Sequence, residues 1–320
     1  NKKIKILNDF SDFKVKKKLD VTISAIPGIA GLEPTLSMIN FSKKILIANK
    51  ESVVCGWNLI KNKAKVNKTK IVPVDSEHYS IFKLLENHKI SEIRTIYITA
   101  SGGPFLNIKK NKFKKIEPKD AIIHPKWKMG KKISIDSATL MNKILEIIEA
   151  QKLFALPNNK IDILIHPNSL VHAIIELKNG LIKFIYHETS MIIPLANAIF
   201  EENFDINNFY KIKTNKHKMR IENLIFKKVD ENIFPIIKIK SKANEYPSTS
   251  IIVNASNEIL VDHFLHKKIP FLAISKIIMT ILRDRNYRKY AIRKPKNIDQ
   301  IEEIDHWARK LAMSKVKNYK

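Results

Sequence analysis

Short apolar runs at 20–25, 44–48, 71–74 and 95–100 alternate with stretches of helical periodicity at 34–39 and 52–61. Parallel strands need a crossover connection, and a helix is the usual one, so the alternation predicts an α/β region built on a parallel sheet. Past Ser101 the order changes. A loop rich in Lys and Pro leads to a helix expected over 138–154, followed by strands at 161–165, 173–177 and 181–186. Asn179-Gly180 separates the last two, and Asn-Gly is the strongest short hairpin signal, so this second region reads as α+β. Residues 201–231 are polar and weakly periodic, which predicts a connecting segment. From Phe234 onward the periodicity is helical, with amphipathic candidates at 257–265, 271–282 and 301–312. The expected division is an α/β unit over 1–74, an α+β unit over 75–200, the connection over 201–231 and a helical unit over 232–320, without internal repeats.

A chain of 320 residues can bury a sizeable core. Lys and Arg number 58 against 31 Asp and Glu, a net charge of +27 that by itself would suggest nucleic acid or an anionic membrane. The excess is mostly Lys, is spread along the whole length, and comes with abundant Ile and Asn, whose codons are also rich in A and T. Genomic base composition therefore explains it, and a solvated basic surface is expected, with no specific nucleic-acid partner. Cys55 is the single cysteine, which excludes an intrachain disulfide and a cysteine metal cluster and fits a reducing compartment. The most apolar stretch, 191–200, is short and contains Pro194 and Asn197, so no membrane span is expected.

The densest chemistry lies in Pro73-Val74-Asp75-Ser76-Glu77-His78, at the end of an expected strand. In extended chain, residues two apart face the same side, so Asp75 and Glu77 present their carboxylates together, and two like charges held close need a cation. The carboxyl end of a parallel strand is also where open α/β sheets place their sites. The competing reading is a polar strand end running into a turn. A second cluster runs from Ser134 to Glu146. Asp136 or Ser137 can cap a helix on which Thr139, Asn142, Lys143 and Glu146 recur at spacings of three and four. The other positions are nearly all apolar, so the polar stripe is expected to be buried, where a phosphate and a metal would partner it. A solvated Lys143–Glu146 pair is the alternative.

Three loops add candidates. Ser101-Gly102-Gly103 can cradle a phosphate through backbone N–H groups and a hydroxyl, or be simply a tight turn. His124-Pro125-Lys126-Trp127-Lys128-Met129-Gly130 reads as a flap that closes on a ligand, or as a loop anchored by Trp127. In Ala48-Asn49-Lys50-Glu51-Ser52, Lys50 can meet a phosphorylated substrate while Asn49 and Glu51 meet a cofactor; the alternative is a capped helix start with a solvated Lys50. His166 and His172 read as hydrogen-bonded structural residues.

Taken in order, AIPGIAGLEPTL, ANKES, PVDSEH, ASGGPF, HPKWKMGKKISIDSATLMNK, IEA and VNASNE resemble the 1-deoxy-D-xylulose 5-phosphate reductoisomerase family over about 20–264. The resemblance implies an α/β fold: a partial Rossmann-like NADPH-binding domain, an α+β catalytic domain, a connecting segment and a helical C-terminal domain. It implies a metal-dependent rearrangement of a sugar-phosphate skeleton and reduction by NADPH to 2-C-methyl-D-erythritol 4-phosphate, on the non-mevalonate route to isoprenoids. By similarity Asp75, Glu77 and Glu146 match ligands of Mg²⁺ or Mn²⁺. Ser101, Ser137, Asn142 and Lys143 match the phosphate-holding residues; Lys50, Ser76, Glu77, Glu146 and His124 match further substrate contacts. Lys50 and His124 join the three carboxylates as catalytic residues, and Trp127 and Met129 lie with His124 in the matching flap. Asn49, Glu51, Gly130, Met129 and Met191 match the NADPH side. A homodimer is implied, in a bacterial or endosymbiont cytoplasm or a plastid stroma.

Three departures stand out. Residues 1–20 supply neither the strand nor the Gly-rich loop that open the family's dinucleotide unit, and Asn1 is not a start residue, so a natural chain extending further upstream is expected. Ile144 stands where the family usually has glycine, and Ser190 and Ile192 replace an acidic and commonly a basic residue beside Met191. A lyase or phosphatase that uses the same metal and phosphate sites without nicotinamide is the competing enzyme reading, beside an inactive fragment; a basic nucleic-acid-binding protein is the non-enzymatic one.

Overall fold

The computed structural model describes residues 6, 13, 15–201, 203–209 and 223–318. Three parallel strands, β1 (Leu19–Ser24), β2 (Ser42–Ile47) and β3 (Lys70–Pro73), form a sheet in that order, with α1 (Leu32–Ile39) and α2 (Lys50–Asn67) as the crossovers. Ile45, Leu46 and Ile47 are all buried, as expected of the middle strand of a sheet covered on both faces. Asn49 caps α2 by accepting from Ser52 N at 2.7 Å, and Lys68 ends it in the left-handed region. After β3 comes α3 (Ser76–Leu85).

The next strand, β4 (Ile93–Ala100), belongs to a second sheet rather than extending the first. Then follow α4 (Pro118–Ala121), α5 (Lys131–Thr139), α6 (Met141–Phe154), β5 (Ile161–Ile165), β6 (Val171–Leu177), β7 (Ile182–Tyr186), α7 (Ile192–Phe200) and β8 (Lys227–Lys228). The second sheet is mixed, in the order β7-β6-β4-β5-β8, with β4 parallel to β5 and antiparallel to β6. The β6–β7 hairpin turns where Asn-Gly predicts it, with Gly180 at φ 90°. Of the expected connection at 201–231, residues 202 and 210–222 lie outside the described residues; part of the remainder is β8, paired with β5, so the stretch contributes to the sheet. Most of 1–14 is likewise outside the described residues.

The chain finishes with α8 (Thr249–Leu265), α9 (Phe271–Ile281), α10 (Tyr287–Ala291) and α11 (Ile298–Lys317). α8 starts earlier than its apolar periodicity indicates, because Ser250, Asn254 and Ser256 are buried in its first half; Ser250 Oγ donates to the Val54 carbonyl of α2 at 2.7 Å. One continuous apolar core runs from Leu32 in α1 through α6 to Val316 in α11, and Ile144 lies wholly inside it. The bulk at that position is therefore absorbed by the core around α6. Among the described residues no helix is long and apolar enough to cross a membrane.

Candidate active site

Asp75 and Glu77 come together, but not by strand alternation. β3 stops at Pro73, and Asp75 is the N-cap of α3, its Oδ1 accepting from Glu77 N at 3.3 Å. An acidic cap followed by an acidic residue in the first turn suits the positive end of the helix, and it turns both carboxylates to one side. The Ser76 hydroxyl joins them, donating to Glu77 Oε2 at 2.7 Å.

The expected single helix over 138–154 is two. Leu140 takes a left-handed conformation (φ 63°), which ends α5 and starts α6 at a new angle. Asp136 and Ser137 thus lie inside α5 and cap nothing. The first turn that carries Asn142 and Lys143 is that of α6, and Glu146 follows a turn later. Lys143 is 7% exposed and Glu146 1%, so the stripe is buried and the solvated-pair alternative falls.

These pieces enclose a cavity of about 280 Å³ whose walls include Lys50, Asp75, Ser76, Glu77, Ser101, His124, Trp127, Met129, Ser137, Asn142, Lys143, Glu146 and Met191. Carboxylate oxygens of Asp75, Glu77 and Glu146 all lie within 4.8 Å of one another. Lys143 Nζ sits 2.6 Å from both Glu77 Oε1 and Glu146 Oε2. Lys50, also buried rather than solvated, reaches Asn142 Oδ1 at 2.8 Å, Glu146 Oε1 at 3.2 Å and Asp75 Oδ2 at 3.4 Å. Burial opposes both ammonium charges, but Glu146 and its neighbours outweigh it and raise both pKa values, Lys50's strongly. Burial likewise raises Glu77, yet Lys143 outweighs it and holds Glu77 well below the usual carboxylate range. Glu146, the most enclosed of the three, is raised by burial and by Glu77. Three carboxylates against two ammoniums leave one negative charge over, and the donors are all hard oxygens, so a Mg²⁺- or Mn²⁺-like ion fits the set.

At the other end, hydroxyls and a helix N-terminus suit an anion. His124 Nδ1 accepts from the backbone N–H of Lys126 (3.1 Å) and Trp127 (2.9 Å), so Nε2 carries the proton and donates to Ser101 Oγ at 2.8 Å. Ser101 Oγ also accepts from Gly103 N at 3.1 Å, which leaves its own proton for a ligand oxygen. The Gly-Gly pair serves packing more than cradling. A Cβ on Gly103, at φ 62°, would lie 3.1 Å from Ala138 Cα and Ser137 O, so glycine lets this loop close onto α5. Burial, then Lys143, push His124 down to about 4. A depressed histidine contributes stability that is full above the ordinary value near 6.5 and lost as pH falls toward 4. Nitrogen-detected NMR at pH 6 is therefore expected to show His124 as the neutral Nε2–H tautomer; an imidazolium signal would refute it.

Three expected residues do not line the cavity. The Asn49 amide is consumed in capping α2 and in donating to Ile26 O and to Gly28 O, the latter at 2.9 Å. Glu51 pairs with Lys132 at 3.0 Å, and Gly130 opens α5. The structural reading of His166 fits its contacts, a hydrogen bond to Ile225 O and a stack on Phe226. That of His172 needs correction, since it lines the cavity, with Nδ1 3.8 Å from Glu77 Oε1 and its ring edge-on to Trp127.

Sequence reasoning missed His78 and Glu149, both fully enclosed. His78 Nε2 lies 2.9 Å from the Glu146 carbonyl, which can only accept, and Nδ1 faces Asp75 Oδ1 at 3.4 Å and Glu149 Oε2 at 3.5 Å. Burial opposes the imidazolium, but Glu149 and Asp75 outweigh it and lift His78 to about 9; burial lifts Glu149 to about 7. Such partners orient metal ligands. The signal was available: His78 follows Asp75 by three residues and Glu149 follows Glu146 by three, each one turn behind a ligand.

A parallel crossover unit joined to a mixed sheet, with a carboxylate triad beside a basic, hydroxyl-lined pocket under a Trp- and Met-bearing loop, defines a metal-dependent enzyme of small phosphorylated substrates. The family model of 1-deoxy-D-xylulose 5-phosphate reductoisomerase matches residues 7–56, and models of that family's C-terminal domain match 71–154 and 188–311. The 1-deoxy-D-xylulose 5-phosphate reductoisomerase of Pelagibacter ubique is 46% identical over 313 residues, 96% of this chain and 79% of that protein. The Sulfurihydrogenibium protein of the same name is 41% identical, covering 86% of this chain and 72% of its own. A DOX-P reductoisomerase crystal structure with NADPH, fosmidomycin and magnesium superposes with TM-score 0.81 at 33% identity, over 94% of this chain and 77% of that one. The Zymomonas mobilis enzyme in complex with NADPH gives 0.78 at 34%, over 93% and 75%. The chain belongs to the 1-deoxy-D-xylulose 5-phosphate reductoisomerase family.

Proposed function

We propose that the chain converts 1-deoxy-D-xylulose 5-phosphate, NADPH and a proton to 2-C-methyl-D-erythritol 4-phosphate and NADP⁺, in the non-mevalonate route to isoprenoids. The observation that carries the reading is the convergence of Asp75, Glu77 and Glu146 in one cavity with Lys143 and the hydroxyl-lined anion end. A divalent ion held by those carboxylates would polarise the substrate carbonyl, and NADPH would supply hydride. Lys143, Asn142, Ser101 and Ser137 bind the phosphate by charge, amide and hydroxyl. Lys50 balances Asp75 and Glu146, and Ser76 orients Glu77. His124, neutral, aims the Ser101 hydroxyl, while Trp127, Met129 and Met191 exclude water. Asn49, Glu51 and Gly130, at the starts of α2 and α5, are assigned with Met129 and Met191 to the cofactor side.

NADPH oxidation on adding 1-deoxy-D-xylulose 5-phosphate and Mn²⁺ tests the reading; folded protein without turnover in any divalent metal would sink it. Substrate consumption without NADPH oxidation would instead mark the lyase or phosphatase reading, which the NADPH-bearing solved relatives do not favour.

The proposed assembly is a homodimer in a bacterial or endosymbiont cytoplasm or a plastid stroma, and the free, buried Cys55 fits a reducing compartment of either kind. Support for the dimer comes from β7, an edge strand that leaves Ile182 63% and Phe184 44% exposed, with Leu181 at 57% beside them. Ile182→Lys with Phe184→Lys is expected to give a monomer by sedimentation at micromolar concentration; an unchanged dimer would move the interface elsewhere.

A further inference from the structure

Lys132 and the residues it grips form a polar bridge outside the cavity wall. Lys132 is the second residue of α5, just past Gly130 at the end of the flap. Its Nζ lies 3.0 Å from Glu51 Oε1, in the first turn of α2, and 3.0 Å from Asp136 Oδ2, one turn further along α5. Asp136 is 1% exposed, and its other oxygen accepts from Asn257 Nδ2 of α8 at 2.8 Å. A single ammonium thus joins α2 to α5, and through Asp136 to α8. Burial opposes its charge, but Asp136 and Glu51 outweigh it and hold it above the ordinary lysine range.

This ion pair links the end of the flap at Gly130 to the start of α2. A Cβ at Gly130 would meet no atom within 4 Å, so side-chain packing does not fix the hinge. The opposite end is fastened by His124, through Ser101 and the flap's own N–H groups. The flap is therefore pinned at both ends, with Trp127 edge-on to His172 between them, and one end pin reaches a helix start assigned to the cofactor.

We propose that Lys132 is a positioning residue that couples the cofactor-side helix start at Glu51 to closure of the flap over 126–130. A cofactor that fixes Glu51 in place fixes the Lys132 ammonium with it and so orders the flap, and by reciprocity an ordered flap favours the cofactor. The inference rests on the reading of Glu51 as a cofactor-side residue and of 124–130 as the flap, and it adds the connection between them.

Hydrogen exchange of the flap amides, with and without NADPH, reads the coupling without turnover. In the wild type, NADPH is expected to slow exchange over 126–130. Lys132→Met is expected to exchange there roughly ten times faster and to ignore NADPH, with NADPH KM raised about tenfold and Mn²⁺ affinity unchanged; Lys132→Arg should restore most of the protection. If Lys132→Met does not fold, Lys132→Gln removes the same charge from both Glu51 and Asp136 and carries the same expectation. A variant flap that still responds to NADPH as the wild type does would overturn the proposal, and so would a wild-type flap indifferent to bound NADPH. Failure of wild-type turnover with metal and NADPH bound would instead overturn the functional reading alone.

Discussion

Glu146→Gln is expected to lower metal-dependent turnover on the order of a thousandfold while leaving the metal-free protein at least as stable as the wild type. The two halves have one cause. Glu146 is the most deeply buried of the three carboxylates that meet in the cavity, and burial and Glu77 raise its pKa. A carboxyl group whose pKa is raised on folding opposes folding wherever it is ionised, so at neutral pH its negative charge is a cost to the fold. Glutamine keeps the volume and can still accept from Lys50 with its oxygen, while Lys143, which loses its acceptor there, keeps Glu77. It leaves two carboxylates, Asp75 and Glu77, facing the two ammoniums of Lys50 and Lys143, which balances the metal-free site.

The same change removes one of three hard oxygen donors, so a divalent ion is held by two carboxylates and loses its most enclosed ligand. Titration of free Mn²⁺ by electron paramagnetic resonance should show weakened binding, and thermal melts without metal should show an unchanged or higher midpoint. Turnover with wild-type metal dependence in this variant would remove Glu146 from the ligand set. The pattern is that of a site kept at the expense of stability.

The residues that carry this argument were readable in the sequence, though the reason they meet was not. Asp75 and Glu77 are two apart, which alternation explains in a strand, whereas a helix cap places them together here. Both geometries bring i and i+2 carboxylates to one side, so the right residues followed from the wrong backbone. Burial of Lys143 and Glu146 was legible because a helix apolar on nearly every side leaves a polar stripe nowhere to go but inward. The break at Leu140 was not, since a leucine at positive φ has no local signal; it follows from the packing of α5 and α6 on the core. The early start of α8 was hidden by buried Ser and Asn, which look like a solvated face until their partners on other elements are known. Strand β4 has the composition of a buried strand in either sheet, and only its neighbours β5 and β6, distant in sequence, decide which.

What the fold adds is a meeting of helix starts. Lys50 opens α2, Asp75 caps α3 with Ser76 and Glu77 in its first turn, and Asn142 and Lys143 lie in the first turn of α6. Three positive helix ends therefore point their first turns at one cavity, which favours carboxylates and an anionic substrate there. Two lysines at these starts then need the carboxylates as much as the carboxylates need them.

Lys143→Met tests that mutual dependence. Its ammonium is 2.6 Å from both Glu77 and Glu146 and only 7% exposed, so removing it leaves two enclosed carboxylates facing each other. Breaking a buried pair from one side costs about 3–5 kcal/mol. The metal-free variant is expected to melt far below the wild type, and saturating Mn²⁺ to restore much of the loss, because a cation between the same oxygens replaces the missing charge. Substrate binding should not recover with it. A phosphate that loses a charged donor loses about 2 kcal/mol, roughly thirtyfold in KM. The pH dependence separates this account from simple loss of packing. In the wild type Lys143 holds Glu77 well below its ordinary value, a contribution present above about 4.5 and lost as pH falls through the folded pKa. The variant lacks that contribution and buries two acids whose protonation now favours folding, so its stability deficit should shrink steadily from pH 7 to pH 4. A deficit of constant size over that range, or one that Mn²⁺ leaves untouched, would show that Lys143 acts through its methylene stem rather than its charge.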